Sequence, residues 1–436
     1  MVWFLVVSLL LWGRVLARSP QIREQWYTIF RSKVAMISAI ALLFYLTIAL
    51  FDSVHLRFST SGEEVQSGKI HYQGEMVSLL DMIFSHTTDR TERTYSEPFA
   101  TQEYAKSIVV DENGVTKQVH LPLKYVGTGE DIASRSITAL LTGMAIGGAL
   151  IALHMLWRRR KGWKSELPWR TAYLTLLVLL MTFTWLYLLS HHYHVLGTDK
   201  VGGDVLYQSL KSIRTGVLIG VLTTLVMLPV AVILGVSAGL FGGRVDDAIQ
   251  YLYTTLSSIP GVLLIAAGIL VMQVMMDNNP GWFESTMERS DMRLLFLILI
   301  LGITSWTGLC RMIRAETLKI SRVEFVTAAK AFGVGKFTII RRHIIPNLMH
   351  IILISVVLDF SGLVLAEAVL SYVGVGVDPT MYSWGNMINQ ARLEMAREPM
   401  VWWSLFSAFV FMFVLVLAAN LLSDRIQTVL DPRNRV

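Results

Sequence analysis

The chain has 436 residues and one cysteine, Cys310, which excludes an intrachain disulfide and any multi-cysteine metal site. Charge is also scarce. Asp, Glu, Lys and Arg make up 16% of the residues against 53% hydrophobic ones, too little polar sequence for a soluble protein of this length. No GxxxxGK[ST] phosphate-binding loop occurs, so no nucleotide is expected to be bound or hydrolysed by this chain. Acidic residues are few inside the apolar runs, which counts against the alternative of an ion-coupled secondary transporter. The net charge of +6 would suggest nucleic acid in a soluble chain, but the basic residues gather in loops beside apolar runs. Membrane lipid, not nucleic acid, is the expected surroundings.

What is present is apolar length. A helix needs about 20 residues to cross a bilayer, and residues 33–51, 137–157, 171–190, 212–238, 252–276, 293–310, 347–370 and 401–422 satisfy that rule. The reading is an all-α polytopic membrane protein with eight spans, or nine if residues 1–17 also cross. Arg158–Arg170 and Arg311–Arg342 are rich in Arg and Lys and belong in the cytoplasm, with an even number of crossings between them. Residues 52–136, 191–211, 277–292 and 371–400 then face outward. Cleavage after Ala17 would leave Arg18, Arg23, Arg31 and Lys33 outside, against that orientation, so 1–32 is read as an apolar or interfacial segment and not a signal peptide.

Residues 52–136 form an outer insertion. Two β-prone runs flank Asn113-Gly114 within Ser107–Leu123, a hairpin signal. Two strands alone are marginal, so the insertion must pack on something else. Residues 137–190 supply a helical hairpin, and 191–436 the main membrane unit.

The stretch Ser321–Asn347 is polar, basic and helix-forming, and it is punctuated by Gly333 and Pro346. Phe325, Ala328, Ala329 and Phe332 fall at i, i+3, i+4 and i+7, which sets two rings and two methyl groups on one helical face. Gly333 permits a left-handed turn, and Pro346 suits the first turn of the next span. Such an elbow and its face suit docking to a partner, and the basic charge alone suits equally an ordinary loop held against lipid phosphates.

In its small pair, glycine and basic segment, the stretch resembles the cytoplasmic coupling loop of ABC-type importer permeases. Other segments resemble the same family, the C-type permeases of dipeptide, oligopeptide and nickel importers, in the same order. They are His194, Leu196–Asp199, Gly202 and Asp204–Leu206 of an HxLGTDxxGxDVL pattern, Phe241–Asp246, Ser258–Pro260, Trp306–Glu316, Leu365–Pro379, Ser383–Met387 and Asp431–Arg433. Nearly all of the likeness follows residue 190. It implies a type I ABC importer permease core in a bacterial inner membrane, with cytoplasmic coupling loop 311–346. It also implies a second homologous permease subunit, two ATPase subunits that bind the ATP, and a periplasmic solute-binding protein meeting the outer loops. The solute that the resemblance implies is a peptide or similar small molecule, with nickel or peptide-antibiotic uptake as alternatives within the family. Glu324, Phe325, Thr327, Ala328, Ala329, Phe332, Gly333, Arg342 and Pro346 become the ATPase-coupling candidates.

Two positions depart from the family. Thr327 replaces the acidic residue of the coupling motif, although Glu324 lies one turn earlier, and Gly203 stands where arginine is usual. Segment 52–190 is extra, and its two spans preserve the parity of the core. Asp199, Asp204, Glu367 and Trp384 are candidates for the pathway or a subunit interface; Glu367 stands out because an ionisable residue within a span is costly. His191, His192 and His194 suggest a metal but are better explained as an interfacial cluster. Trp157, Trp163, Trp169, Trp402 and Trp403 read as interfacial anchors.

Overall fold

The computed structural model describes residues 20–56, 77–110, 116–127, 129, 131–162, 166–283 and 286–430. Residues 1–17, the Asn113-Gly114 turn, Trp163 and Asp431–Arg433 lie outside them.

Helix α1 (Pro20–Arg31) leads into α2 (Lys33–Ser53). The outer insertion follows. A short strand β1 (His55–Leu56) pairs antiparallel with β2 (Val77–Ser78), and two short helices come next, α3 (Leu79–Ile83) and α4 (Ser85–Thr88). Strands β3 (Gln102–Val110) and β4 (Thr116–Pro122) form an antiparallel pair with Ser107 opposite Val119. Then come α5 (Ile132–Lys161) and α6 (Trp169–Ser190), which pack on one another with α6 also against α2. The remaining helices are α7 (Val205–Phe241), α8 (Gly243–Ser258), α9 (Gly261–Asn278), α10 (Thr286–Ile320), α11 (Glu324–Ala331), α12 (Lys336–Ile339), α13 (Ile345–Tyr372), α14 (Trp384–Glu394) and α15 (Trp403–Leu430).

Eight helical runs among the described residues are long and apolar enough to cross a membrane: α2, α5, α6, α7, α9, α10, the continuous run Lys336–Tyr372, and α15. Three expected boundaries shift, each for a local reason. The run expected at 252–276 breaks at Ile259-Pro260, where Pro260 has no amide to donate and holds Ile259 extended; α8 becomes a separate amphipathic helix and the span begins at Gly261. Helix α10 does not stop at Cys310 but continues to Ile320, so the first ten residues of the 311–346 region prolong a span. Pro346 lies in the first turn of α13, as expected, but the helical run already starts before it, at Lys336. Residues 340–344 form a π turn in which the Ile345 amide donates to Ile340 O, and the helix runs unbroken from Lys336 through the proline.

The inner core is built where α7 and α10 pack along their length, burying Met227, Ala231, Trp306, Cys310 and Ile313. Cys310 is a buried apolar side chain there. An outer cluster joins Leu80, Phe84 and Tyr95 of the insertion to Tyr45, Leu206, Trp384 and Trp403. The insertion therefore shares its core with the spans.

Candidate functional site

The elbow begins where α10 ends. Val323, extended at φ −70° and ψ 146°, turns the chain into α11, and Glu324 places a negative charge at the positive end of the short helix. The helix closes with two bonds typical of a glycine stop: the Val334 amide donates to Ala329 O and the Gly333 amide to Lys330 O, both at 3.0 Å. Gly333 sits at φ +74°, where a β-carbon would be strained.

Three side chains pin this elbow to the body. Val326, Ile339 and Ile344 are fully buried, or within one percent of it, in a cluster with Ile249 and Tyr253 of α8 and Ile313 and Ile320 of α10. The opposite side is left uncovered: Phe332 is 87% exposed and Phe337 75%, with Phe325 and Val323 also exposed. The single face expected from Phe325, Ala328, Ala329 and Phe332 is therefore divided. Phe325, Ala328 and Phe332 point outward, while Ala329 is half-buried beside Val326, three residues away on the inner line. Val326 and Phe337 were missed in the sequence because neither belongs to the aromatic-alanine pattern; the apolar triplet Val326, Ile339 and Ile344 becomes visible only once Gly333 folds the chain back.

Polar contacts complete the elbow. Thr327 donates its hydroxyl to Val323 O at 3.2 Å and so serves its own helix. Lys330 reaches Ser321 O at 3.2 Å, and the Phe325 ring lies 5.8 Å from that of His343. Arg342 and Pro346 are exposed on the continuation of the same surface. Beneath it, Arg314 of α10 grips Asp246 of α8 with Nε–Oδ1 at 2.5 Å and Nη2–Oδ2 at 2.7 Å. Hydrogen bonding to Arg314 holds the Asp246 carboxyl below its usual range, although burial opposes this. Lys336 lies 5.1 Å from the Phe241 ring centroid. Three sequence segments far apart in the chain thus converge on one surface.

The other candidates gather at the opposite end, inside the subunit. Asp204 caps α7, accepting from the Leu206 and Tyr207 amides at 2.9 and 3.2 Å through Oδ1, while Oδ2 meets His194 Nδ1 at 2.8 Å. Asp199 accepts from the Val201 and Gly203 amides and from Gln208 Nε2 at 2.6 Å. Glu92, in the insertion, lies 3.7 Å from His194 Nε2 and accepts from the Lys124 and Tyr125 amides. Trp384 is buried and donates to Ser209 O at 3.1 Å. Glu367, 1% exposed, accepts from Ser371 Oγ at 2.7 Å. Asp199, Asp204 and Trp384 thus bond to neighbouring segments of this chain, and Glu367 bonds within its own helix. A second acid in the same span, Asp359, is half-buried; its carboxylate inside the run Val356–Gly362 was the overlooked signal.

The histidines do not form a metal cluster among the described residues. His191 stacks on His86 of the insertion with centroids 3.6 Å apart, and His194 turns to Asp204. Burial, followed by the charges of His191 and Arg90, pushes His86 down to about 4. Asp81 is burdened by burial, yet Lys211 at 2.7 Å and the Tyr207 hydroxyl at 2.7 Å hold it below its usual range. Trp403 is not a lipid anchor: it is buried and donates to Thr198 O at 2.8 Å.

Residues 231–436 match the family described as binding-protein-dependent transport system inner membrane component. The chain is 33% identical over 242 residues to the dipeptide transport system permease protein of Bacillus subtilis, covering 56% of this chain and 69% of that one. It is 31% identical over 244 residues to the oligopeptide transport system permease protein of Haemophilus influenzae, covering 56% and 71%. It is 29% identical over 240 residues to the glutathione transport system permease protein of Pectobacterium atrosepticum, covering 55% and 73%. Among solved structures, an inward-facing methionine ABC transporter aligns with 52% of this chain and 96% of its own at TM-score 0.39 and 18% identity.

Proposed function

The chain belongs to the family of binding-protein-dependent transport system inner membrane components, and from that premise we propose that it carries peptides or similar small solutes and is driven through the Glu324–Gly333 elbow. It is a multi-pass permease subunit of an ABC importer in the inner membrane, and the alternative of an ion-coupled secondary transporter is not favoured. The family implies an ATPase and a substrate-binding protein as partners. In our reading two ATPase subunits bind the ATP, and a second homologous permease completes the pathway of which this chain forms half.

The observation that carries the coupling role is the two-sided build of the elbow. Buried Val326, Ile339 and Ile344 make it move with α8 and α10, while Phe325 and Phe332 stand uncovered for a partner. A closing ATPase can transmit force only through a part that moves as a rigid body. The likeness to dipeptide, oligopeptide and glutathione permeases supports the peptide class.

The test uses a single introduced thiol. Cys310 is the chain's only cysteine and is buried, so Ala328→Cys supplies the reactive site. Crosslinking in intact cells should capture a nucleotide-binding subunit, and purified complexes should take up peptide only with ATP. Adducts that never contain such a subunit would end the coupling reading; ATP-driven uptake of some other solute alone would end only the peptide assignment.

A further inference from the structure

One side of α13 is left open by the rest of the chain, and it forms a continuous stripe. Leu358, Leu365, Val369 and Tyr372 are 43–48% exposed, and Gly362 among them has no atom within 4 Å of where a β-carbon would stand. Their spacing of four, three, four and three residues is that of a single helical side. At the outer end the Arg392 guanidinium lies 5.2 Å from the Tyr372 ring centroid. At the inner end Asn347, three turns before Leu358 on the same side, is exposed. The stripe thus runs the length of the span and is polar at both ends.

Asp359 stands on its flank, next to Leu358 and three residues before Gly362, while Leu363, one turn on, is buried in a cluster with residues of α7 and α10. It lies fourteen residues after Ile345 and thirteen before Tyr372, about 20 Å from either end of α13, and so at mid-depth. Its half-buried carboxylate makes no hydrogen bond or ion pair among the described residues. Two other acids of the spans are engaged: Glu367 accepts from Ser371, and Asp52 accepts from Ser78 Oγ at 2.9 Å with Lys211 3.8 Å away. An unpaired carboxylate at that depth is costly against lipid; such groups face a bundle interior or a water-filled cavity. Helix α5 gives the contrast. Leu141, Met144 and Leu153 are exposed along it, and residues 136–157 include no Asp, Glu, Lys or Arg.

We propose that the open stripe of α13 faces the solute path and that Asp359 is a mid-membrane subsite for the ammonium group of the passing solute, an inference that rests on the peptide reading above. An ionised carboxylate only accepts hydrogen bonds, so its partner must bring N–H donors and positive charge. Every unblocked peptide carries both in its α-ammonium, whatever its side chains. A fixed cation from a neighbouring subunit would instead seal the stripe, and lipid would leave the charge unmatched.

The test uses the full-length chain with its co-purifying subunits in phospholipid vesicles. Asp359→Cys should react with a membrane-impermeant, cationic methanethiosulfonate at least tenfold faster than Leu153→Cys on α5; the unaltered chain, whose Cys310 is buried, sets the background. Asp359→Asn should lower the ratio of trialanine uptake to N-acetyl-trialanine uptake at least tenfold with Tm and subunit content held, and Asp359→Glu should restore most of it. Any preference set outside the membrane is common to all variants and cancels in that comparison. Labelling at the Leu153→Cys rate, an unchanged uptake ratio in Asp359→Asn, or loss of a second permease from that variant would overturn the proposal, the last by revealing a fixed pair between subunits. If the unaltered chain carries neither peptide while ATP drives some other solute, the peptide reading fails and the ammonium partner falls with it; aqueous labelling then decides whether the stripe lines the path.

Discussion

Arg314 and Asp246, separated by 68 residues in the chain, form a two-bond ion pair at 2.5 and 2.7 Å that ties the start of α8 to the inner end of α10. The elbow rests on both helices. Each member of the pair belongs to a segment that stands out in the sequence, Phe241–Asp246 and Trp306–Glu316, yet nothing in the spacing says that they meet.

Asp246→Asn should therefore loosen the platform under the elbow without unfolding the spans. A partly exposed ion pair contributes about 1 kcal/mol or less, so overall stability should change little. Coupling should suffer more, with ATP hydrolysis continuing and transport falling several-fold. Reconstituted vesicles measured for both rates check this, and a parallel fall of the two would instead indicate lost ATPase binding.

Val326 and Phe332 separate anchoring from docking. Val326→Ala empties a fully buried position and should destabilise the elbow by about 1 to 2 kcal/mol, seen as faster hydrogen exchange across 324–345. Phe332→Ala removes a side chain that touches little in this chain, so exchange should not change by more than about 0.5 kcal/mol. As an exposed aromatic at a docking surface, it should weaken ATPase binding by about 2 kcal/mol, roughly 30-fold. Matching exchange and binding defects in the two variants would contradict this division.

Much of the architecture was legible because the period and length of apolar runs are local properties. All eight spans lie on the expected runs, and the β3–β4 pair flanks the expected turn. What was not legible depended on backbone bonds or on distant partners. Pro260 broke a run of sufficient hydropathy, while Pro346 did not break one, because it stands in the first turn of α13 behind a π turn. In the elbow, helical spacing named the exposed rings but misplaced Ala329, since which side is covered depends on α8 and α10. At the outer end, the likeness of residues 194–206 to a family signature drew attention to Asp199 and Asp204, but their bonds to Gln208 and His194 appear only in the fold, and Glu92 beyond them comes from the folded insertion.

Gly202 is where that insertion comes closest. It lies at φ +80°, and a β-carbon there would fall 1.8 Å from Glu92 O, while the Glu92 amide donates to Gly202 O at 3.1 Å. Gly202→Ala should dislodge the Glu92 segment at a cost of more than about 1 kcal/mol. Limited proteolysis should then cut within 90–127 several times faster, while the elbow keeps its exchange pattern. An unchanged digestion rate would show that the contact is dispensable.

His86 predicts acid sensitivity for the same region. Its folded value of about 4 lies below the ordinary 6.5, so the unfolded state binds the proton first. The stabilisation is complete above about pH 6.5 and is lost as pH falls toward 4. Proteolysis of the insertion should accelerate over that interval, and His86→Phe, which keeps an aromatic stack on His191 without titrating, should flatten the His86 component of the profile.

Glu367 distinguishes a scaffold acid from a pathway acid. It is buried against Ser371, and a β-carbon on Gly385 would come within 3.0 Å of Oε1, so the carboxyl fills a tight space between α13 and α14. If its task is to accept the Ser371 hydroxyl, glutamine can do so through its own carbonyl, and Glu367→Gln should keep near-normal transport. Glu367→Ala should leave Ser371 without that acceptor beside a cavity and destabilise the α13–α14 contact by about 2 to 4 kcal/mol. If the charge instead served a moving solute, Glu367→Gln would lose transport while Tm held. Measuring uptake and thermal unfolding on both variants decides between the two, and the buried geometry favours the scaffold.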